Sequence, residues 1–107
     1  MLAIISPSKT QDFSECNIEK FSQTRQQESS NELVSILKNQ SQSQISKLMS
    51  ISEKLSALNF ERFQKFKIPF TLENAKQAIL AFKGDVYNGI DAPSLSTEDL
   101  NFAQDKV

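Results

Sequence analysis

The sequence predicts an α-rich α/β fold, with one or two short strands and about five helices. Three observations carry this expectation. The chain opens on a continuously apolar run, residues 2–5, stopped by Ser6-Pro7; such a run suits a strand buried on both faces. A serine followed three residues later by Glu or Gln recurs at Ser29/Glu32, Ser41/Gln44 and Ser50/Glu53, the capping-box spacing that marks helix starts. Finally, both glycines and the lone tyrosine fall within residues 78–90, so one turn there needs special backbone geometry.

Taken in order, Pro7 ends the opening strand and leads into the polar loop Ser8-Lys9-Thr10-Gln11-Asp12. Residues 13–27 show no clear period and read as a connection pinned by Phe13, Ile18 and Phe21. The first boxed helix groups Leu33, Ile36 and Leu37; the second groups Ile45, Leu48 and Met49. The third and longest turns Ile51, Leu55, Leu58 and Phe66 inward, with Arg62 bordering that stripe. Phe60, Phe63 and Phe66 are more simply core than a stacking platform. Ile68-Pro69 breaks the helical pattern, and Thr71 offers an N-cap for a fourth helix from Leu72 to Ala78 or beyond. Residues 79–82 fit either that helix's last turn or a second short strand. A turn at Asp91-Ala92-Pro93-Ser94 precedes a fifth helix opened by Ser96 with Asp99, turning Leu100, Ala103 and Val107 inward. That helix carries no stop signal and the opening strand has at most one candidate partner. The chain is therefore expected to be the front portion of a larger domain.

Composition narrows the function. Leu, Ile, Val and Phe make up 30 of the 107 residues and net charge is −1, so the chain should fold. That charge gives no global case for nucleic acid or membrane, leaving only a local patch. There is no histidine, which removes Ser-His-Asp and Cys-His catalysis and histidine zinc sites. The lone Cys16 forms no internal disulfide and no span suits a membrane helix. With no signal peptide either, a cytoplasmic location is expected. No cofactor, metal or catalytic residue is expected.

Two loops remain as candidate sites. Ser6, Ser8, Lys9 and Thr10 follow the first strand, where open α/β sheets bind ligands. The glycines of a phosphate-binding P-loop are missing, so the choice lies between anion contact through Lys9 and the hydroxyls and a plain polar exit loop. In the second loop Lys83, Gly84, Asp85 and Tyr87 sit together. Lys83 would meet a phosphate or carboxylate while Tyr87 stacks on a base or sugar; alternatively Gly84 ends one element and Asp85 caps the next.

Three motifs in order, Ile5-Ser6-Pro7-Ser8-Lys9-Thr10-Gln11-Asp12-Phe13, Met49-Ser50-Ile51-Ser52-Glu53-Lys54-Leu55, and the stretch 78–89, strongly resemble the peroxide stress protein YaaA family. Its pattern runs close to ISPAKTLDF, LMxISxKLA and QAILAFKGDVYxGL. Ser8 stands where the family has alanine and Gln11 where it has leucine. The resemblance covers nearly the whole chain, and since members are much longer it implies the N-terminal portion of a single YaaA-like domain. It implies a cytoplasmic bacterial protein that resists hydrogen peroxide by limiting unincorporated iron and oxidative DNA damage. It further implies DNA as partner, bound through a basic cleft in an unusual α/β fold with a helix-hairpin-helix element. Lys9 and Lys83 are then expected on one side of the fold, with Tyr87 nearby. The alternative is an enzyme acting on a phosphorylated or nucleotide substrate, with Lys9, Thr10, Lys83 and Asp85 converging.

Overall fold

A computed structural model describes all residues, Met1–Val107. The chain is mostly helical: α1 (Gln27–Lys38), α2 (Gln42–Met49), α3 (Glu53–Lys65), the single-turn α4 (Ala78–Ala81), α5 (Asp85–Ile90), a 3₁₀ turn (Ala92–Ser94) and α6 (Thr97–Lys106). It divides into two compact units, Ile18–Ala75 and the pair of segments Met1–Asn17 with Lys76–Val107.

In the unit Ile18–Ala75, α1 and α2 both pack on α3. Ser41 opens α2 with a complete capping box, accepting from the Gln44 amide while the Gln44 side chain accepts from the Ser41 amide. The other two boxes are displaced. Helix α1 begins at Gln27, so Ser29 lies inside its first turn rather than capping it. Ser50 takes the left-handed conformation (φ 51°) that closes α2, and the Ile51 amide reaches back to the Ser46 carbonyl at 3.2 Å, a Schellman-type closure. Since Ser50 is occupied ending one helix, Ser52 caps the next, accepting from the Leu55 amide.

The buried stripe of α3 is also rotated from the expected one. Ser56 and Asn59 are buried and Leu58 is exposed. Ser56 donates to the Glu53 carbonyl and Asn59 to the Leu55 carbonyl, each at 2.8 Å. Small polar side chains satisfied by their own helix can sit in a helix interface at little cost. Arg62 is half-buried as expected, and burial pushes its guanidinium below its ordinary value. Ile45 is fully buried, but Leu33 and Ile36 of α1 and Leu48 of α2, expected inward, are exposed. Phe13 and Phe21 are likewise exposed, while Ile18 is half-buried. Phe60, Phe63 and Phe66 are half-buried, Phe66 meeting Phe70 edge-on at 5.6 Å.

Polar ties close this unit. Lys38 Nζ donates to the Phe66 carbonyl and Gln64 Nε2 to the Lys38 carbonyl, joining the ends of α1 and α3. The Gln23 amide side chain donates to the Phe70 carbonyl and accepts from the Phe70 amide, copying the two-bond pairing of a backbone partner. The helix expected after Thr71 does not form. Asn74 Oδ1 accepts from the Thr71 amide and Asn74 Nδ2 donates to the Pro69 carbonyl, so a single turn folds back on itself.

In the unit of Met1–Asn17 with Lys76–Val107, the expected strand at residues 2–5 is absent as a strand. The only β pairing is the isolated antiparallel bridge Gln11↔Phe82. A strand needs a neighbouring backbone; no segment of this chain supplies one to residues 2–5, and the Ala3 amide instead donates to the Lys106 carbonyl at the end of α6. Helix α6 opens on the expected Ser96/Asp99 capping box, with Leu100 and Ala103 half-buried but Val107 exposed. The core here is small: Leu80, Ala81, Tyr87 and Ala92.

Removing the one intact box of the three-helix unit should show. Ser41→Ala is expected to cost about 1 kcal/mol in urea unfolding. Ser29→Ala, lying inside α1, should be neutral or stabilise by up to about 0.5 kcal/mol.

Candidate functional site

The two candidate loops meet within one unit, and backbone hydrogen bonds bring them together. The Asp12 amide donates to the Ala81 carbonyl at 2.7 Å and the Lys83 amide to the Thr10 carbonyl at 3.1 Å. These flank the Gln11↔Phe82 bridge as in one rung of an antiparallel ladder. Ser8 adds a side-chain link. Its Oγ lies within hydrogen-bonding reach of the Thr10 carbonyl (2.9 Å) and of the Lys83 carbonyl, and accepts from the Thr10 amide at 3.2 Å. Lys9 is thus framed by two residues that each engage the Lys83 backbone.

Gly84 makes the approach possible. Its φ of 128° with ψ of 176° lies in a region essentially confined to glycine. Space is not the constraint, since an added Cβ would meet only Ser8 Oγ, at 3.9 Å. Gly89, by contrast, sits inside α5 with open space around its Cα; only one of the two glycines needs its special freedom. The chain turns at Gly84 directly into α5, with Asp85 exposed in its first turn.

Tyr87 takes a different role from the expected stacking platform. It is buried, its ring packs edge-on to Phe82 at 5.3 Å, and its hydroxyl donates to the Ser6 carbonyl at 2.6 Å. A buried phenol with its hydroxyl satisfied anchors the exit loop. Ser6 contributes this carbonyl, and its side chain, like those of Lys9 and Thr10, is on the surface.

Lys83 is paired. Its Nζ lies 3.5 Å from Asp12 Oδ2, with the two side chains 43% and 39% exposed; a pair so open to solvent adds little stability and a competing anion can displace it. Asp12 is the residue missed by the sequence analysis. Its carboxylate accepts from the Ser14 amide at 2.8 Å. Hydrogen bonding from Ser14, its side chain first and then this amide, with the charges of Lys76 and Lys83, holds the Asp12 pKa down at about 2. The Asp-x-Ser spacing of an Asx turn was the available signal. Lys76 Nζ donates to the Ser14 carbonyl, bringing a further cation near Asp12. A cavity of about 160 Å³ lies beside Lys83, lined in part by Phe82, Tyr87, Asn88 and Asp91. That is below the roughly 300–1,000 Å³ of ordinary small-molecule sites. What this unit offers is an exposed loop pair with cationic side chains.

Two substitutions separate the glycines: Gly84→Ala should destabilise by about 1–3 kcal/mol, whereas Gly89→Ala should be neutral or stabilise by up to about 1 kcal/mol, both read by thermal or urea unfolding. Asp12 supplies a pH test. Its folded pKa lies below the ordinary 3.8, so the unfolded chain binds more protons between these values and stability rises with pH there. The stability difference between the wild type and Asp12→Asn should be full above about pH 4 and vanish as pH falls through about 2.

Comparison with known proteins bears on these same loops. The chain is 47% identical over 108 residues to a UPF0246 protein of Cellvibrio japonicus and 50% identical over 107 residues to one of Acaryochloris marina. Each match takes in the whole of this chain but only 42% of the relative, its N-terminal part. The family model for the peroxide stress protein YaaA matches residues 1–107, and the chain belongs to that family.

Proposed function

We propose that this chain serves resistance to hydrogen peroxide in the cytoplasm, limiting free iron and oxidative DNA damage, and that it contacts DNA phosphates through Lys9 and Lys83. Family membership supports the stress role. The observation that carries the DNA contact is the clamp of Ser8 and Thr10 onto the Lys83 backbone, which seats two lysine-bearing loops side by side on the surface. The Lys83 ion pair is exposed enough to exchange Asp12 for a phosphate oxygen. No three His, Cys, Asp or Glu side chains converge, so the proposed iron-limiting role assigns no metal site to these residues. Such contacts release counterions, so affinity falls steeply with salt. No helix is long and apolar enough to cross a membrane, and no membrane role is proposed.

The test is duplex binding by fluorescence anisotropy across a salt series, with this chain and with the longer Acaryochloris marina relative. Lys9→Ala with Lys83→Ala should weaken binding and reduce the slope of log K against log salt by about 2. Unchanged affinity and slope in the double variant would refute the assignment.

A further inference from the structure

Asn88 is followed by Gly89, whereas the six other asparagines all precede residues that carry a side chain. The step matters because the backbone nitrogen after an asparagine can reach that residue's own carboxamide carbon and close a five-membered ring. A side chain on the following residue crowds this approach, and glycine has none. Both Asn88 and Gly89 are exposed, and nothing lies within 4 Å of where a Gly89 side chain would begin. The helix that carries the step is weakly held. Helix α5 is six residues long, far below the roughly 12–15 at which a helix stands alone. No side chain caps its start, and Gly89 sits inside it, where glycine is the poorest helix former after proline. Its anchor is Tyr87, with its ring against Phe82 and its hydroxyl on the Ser6 carbonyl. While α5 is formed, the Asn88 amide donates to the Gly84 carbonyl at 2.8 Å, and helical geometry keeps the Gly89 nitrogen away from Asn88 Cγ.

We propose that Asn88-Gly89 is a self-modification site whose rate is set by local opening of α5. The Gly89 amide gives its proton to hydroxide and its nitrogen bonds to Asn88 Cγ. The Cγ–Nδ2 bond then breaks, and ammonia leaves with a proton taken from water. Water opens the cyclic imide at either carbonyl, giving aspartate or, with the backbone rerouted through the former side chain, isoaspartate. The aspartate product places a carboxylate three positions from both Asp85 and Asp91, a spacing at which like charges on a helix repel. It also adds that carboxylate to the cavity that Asn88 lines together with Lys83. The step therefore weakens α5 and lowers the net positive charge beside the lysine.

The test is timed peptide mapping by mass spectrometry of the folded chain at mildly alkaline pH, with aspartate and isoaspartate products separated by chromatography. Position 88 should convert ahead of the six other asparagines, and more slowly than in the same chain unfolded in urea. Tyr87→Phe, which loosens α5, should speed conversion at least about fivefold. Ser41→Ala, which weakens the three-helix unit instead, should leave the rate unchanged. Gly89→Ala should slow conversion in the folded chain at least about fivefold. Equal acceleration by Ser41→Ala and Tyr87→Phe overturns the proposal, because it identifies global unfolding as the route. So does conversion at position 88 no faster than at the other asparagines, or a Gly89→Ala chain that converts as fast as the wild type.

Discussion

A single rung of antiparallel pairing organises the unit that holds the candidate site. The bonds from Asp12 to Ala81 and from Lys83 to Thr10 join segments some seventy positions apart in sequence, and the nearby features depend on that join. Gly84 can turn the chain into α5 only because Lys83 is held immediately before it. Tyr87, one turn into α5, then reaches back to Ser6 and fixes the start of the same loop that the rung fixes at its end. Closing so long a loop costs entropy that grows only slowly with length. It is offset here by several bonds formed together, with Phe82 and Tyr87 packed beneath them. Ser8 reinforces the join through its side chain.

The three-helix unit rests on a different device. Its interior is apolar at Ile45 but polar at Ser56 and Asn59, and it is closed by side chains bonded to backbone, Lys38 and Gln64 at one helix end and Gln23 at the flanking connection. This suits a composition poor in large apolar residues and rich in Ser, Gln and Asn. Amide side chains take over work that a larger unit gives to strands and burial.

Local chemistry was well legible in the sequence, and non-local pairing was not. Ser41 and Ser96 were recognisable as caps because the reciprocal bond needs only four residues. Ser50 matched the same pattern and was misplaced, because ending α2 in a left-handed residue and starting α3 two positions later compete for one serine, and the competition is decided by how α2 meets α3. The rotation of α3 that exposes Leu58 and buries Asn59 is likewise a property of the interface, where periodicity of apolar residues is blind to a polar side chain bonded to its own helix. Residues 2–5 read as a strand from composition, yet strand formation depends on a neighbour that local sequence does not contain. At the candidate site, the meeting of residues 6–12 with 83–87 followed from the family resemblance rather than from residue chemistry. Lys83 was seen, but its partner Asp12 was passed over because ion pairing across the fold leaves no local trace. Tyr87 drew notice as the only tyrosine, and its rarity did not reveal that its hydroxyl would be consumed by a loop carbonyl.

The ion pair between Lys83 and Asp12 has a consequence for control. Asp12 stays ionised down to about pH 2. Mild acidification therefore leaves the Asp12 carboxylate charged. Salt acts on the pair instead. Both side chains are substantially exposed, so their attraction weakens over the screening lengths that separate dilute from physiological salt, about 30 Å against 8 Å. The charge that Lys83 shows to the outside is thus set more by the salt around it than by the ionisation of Asp12.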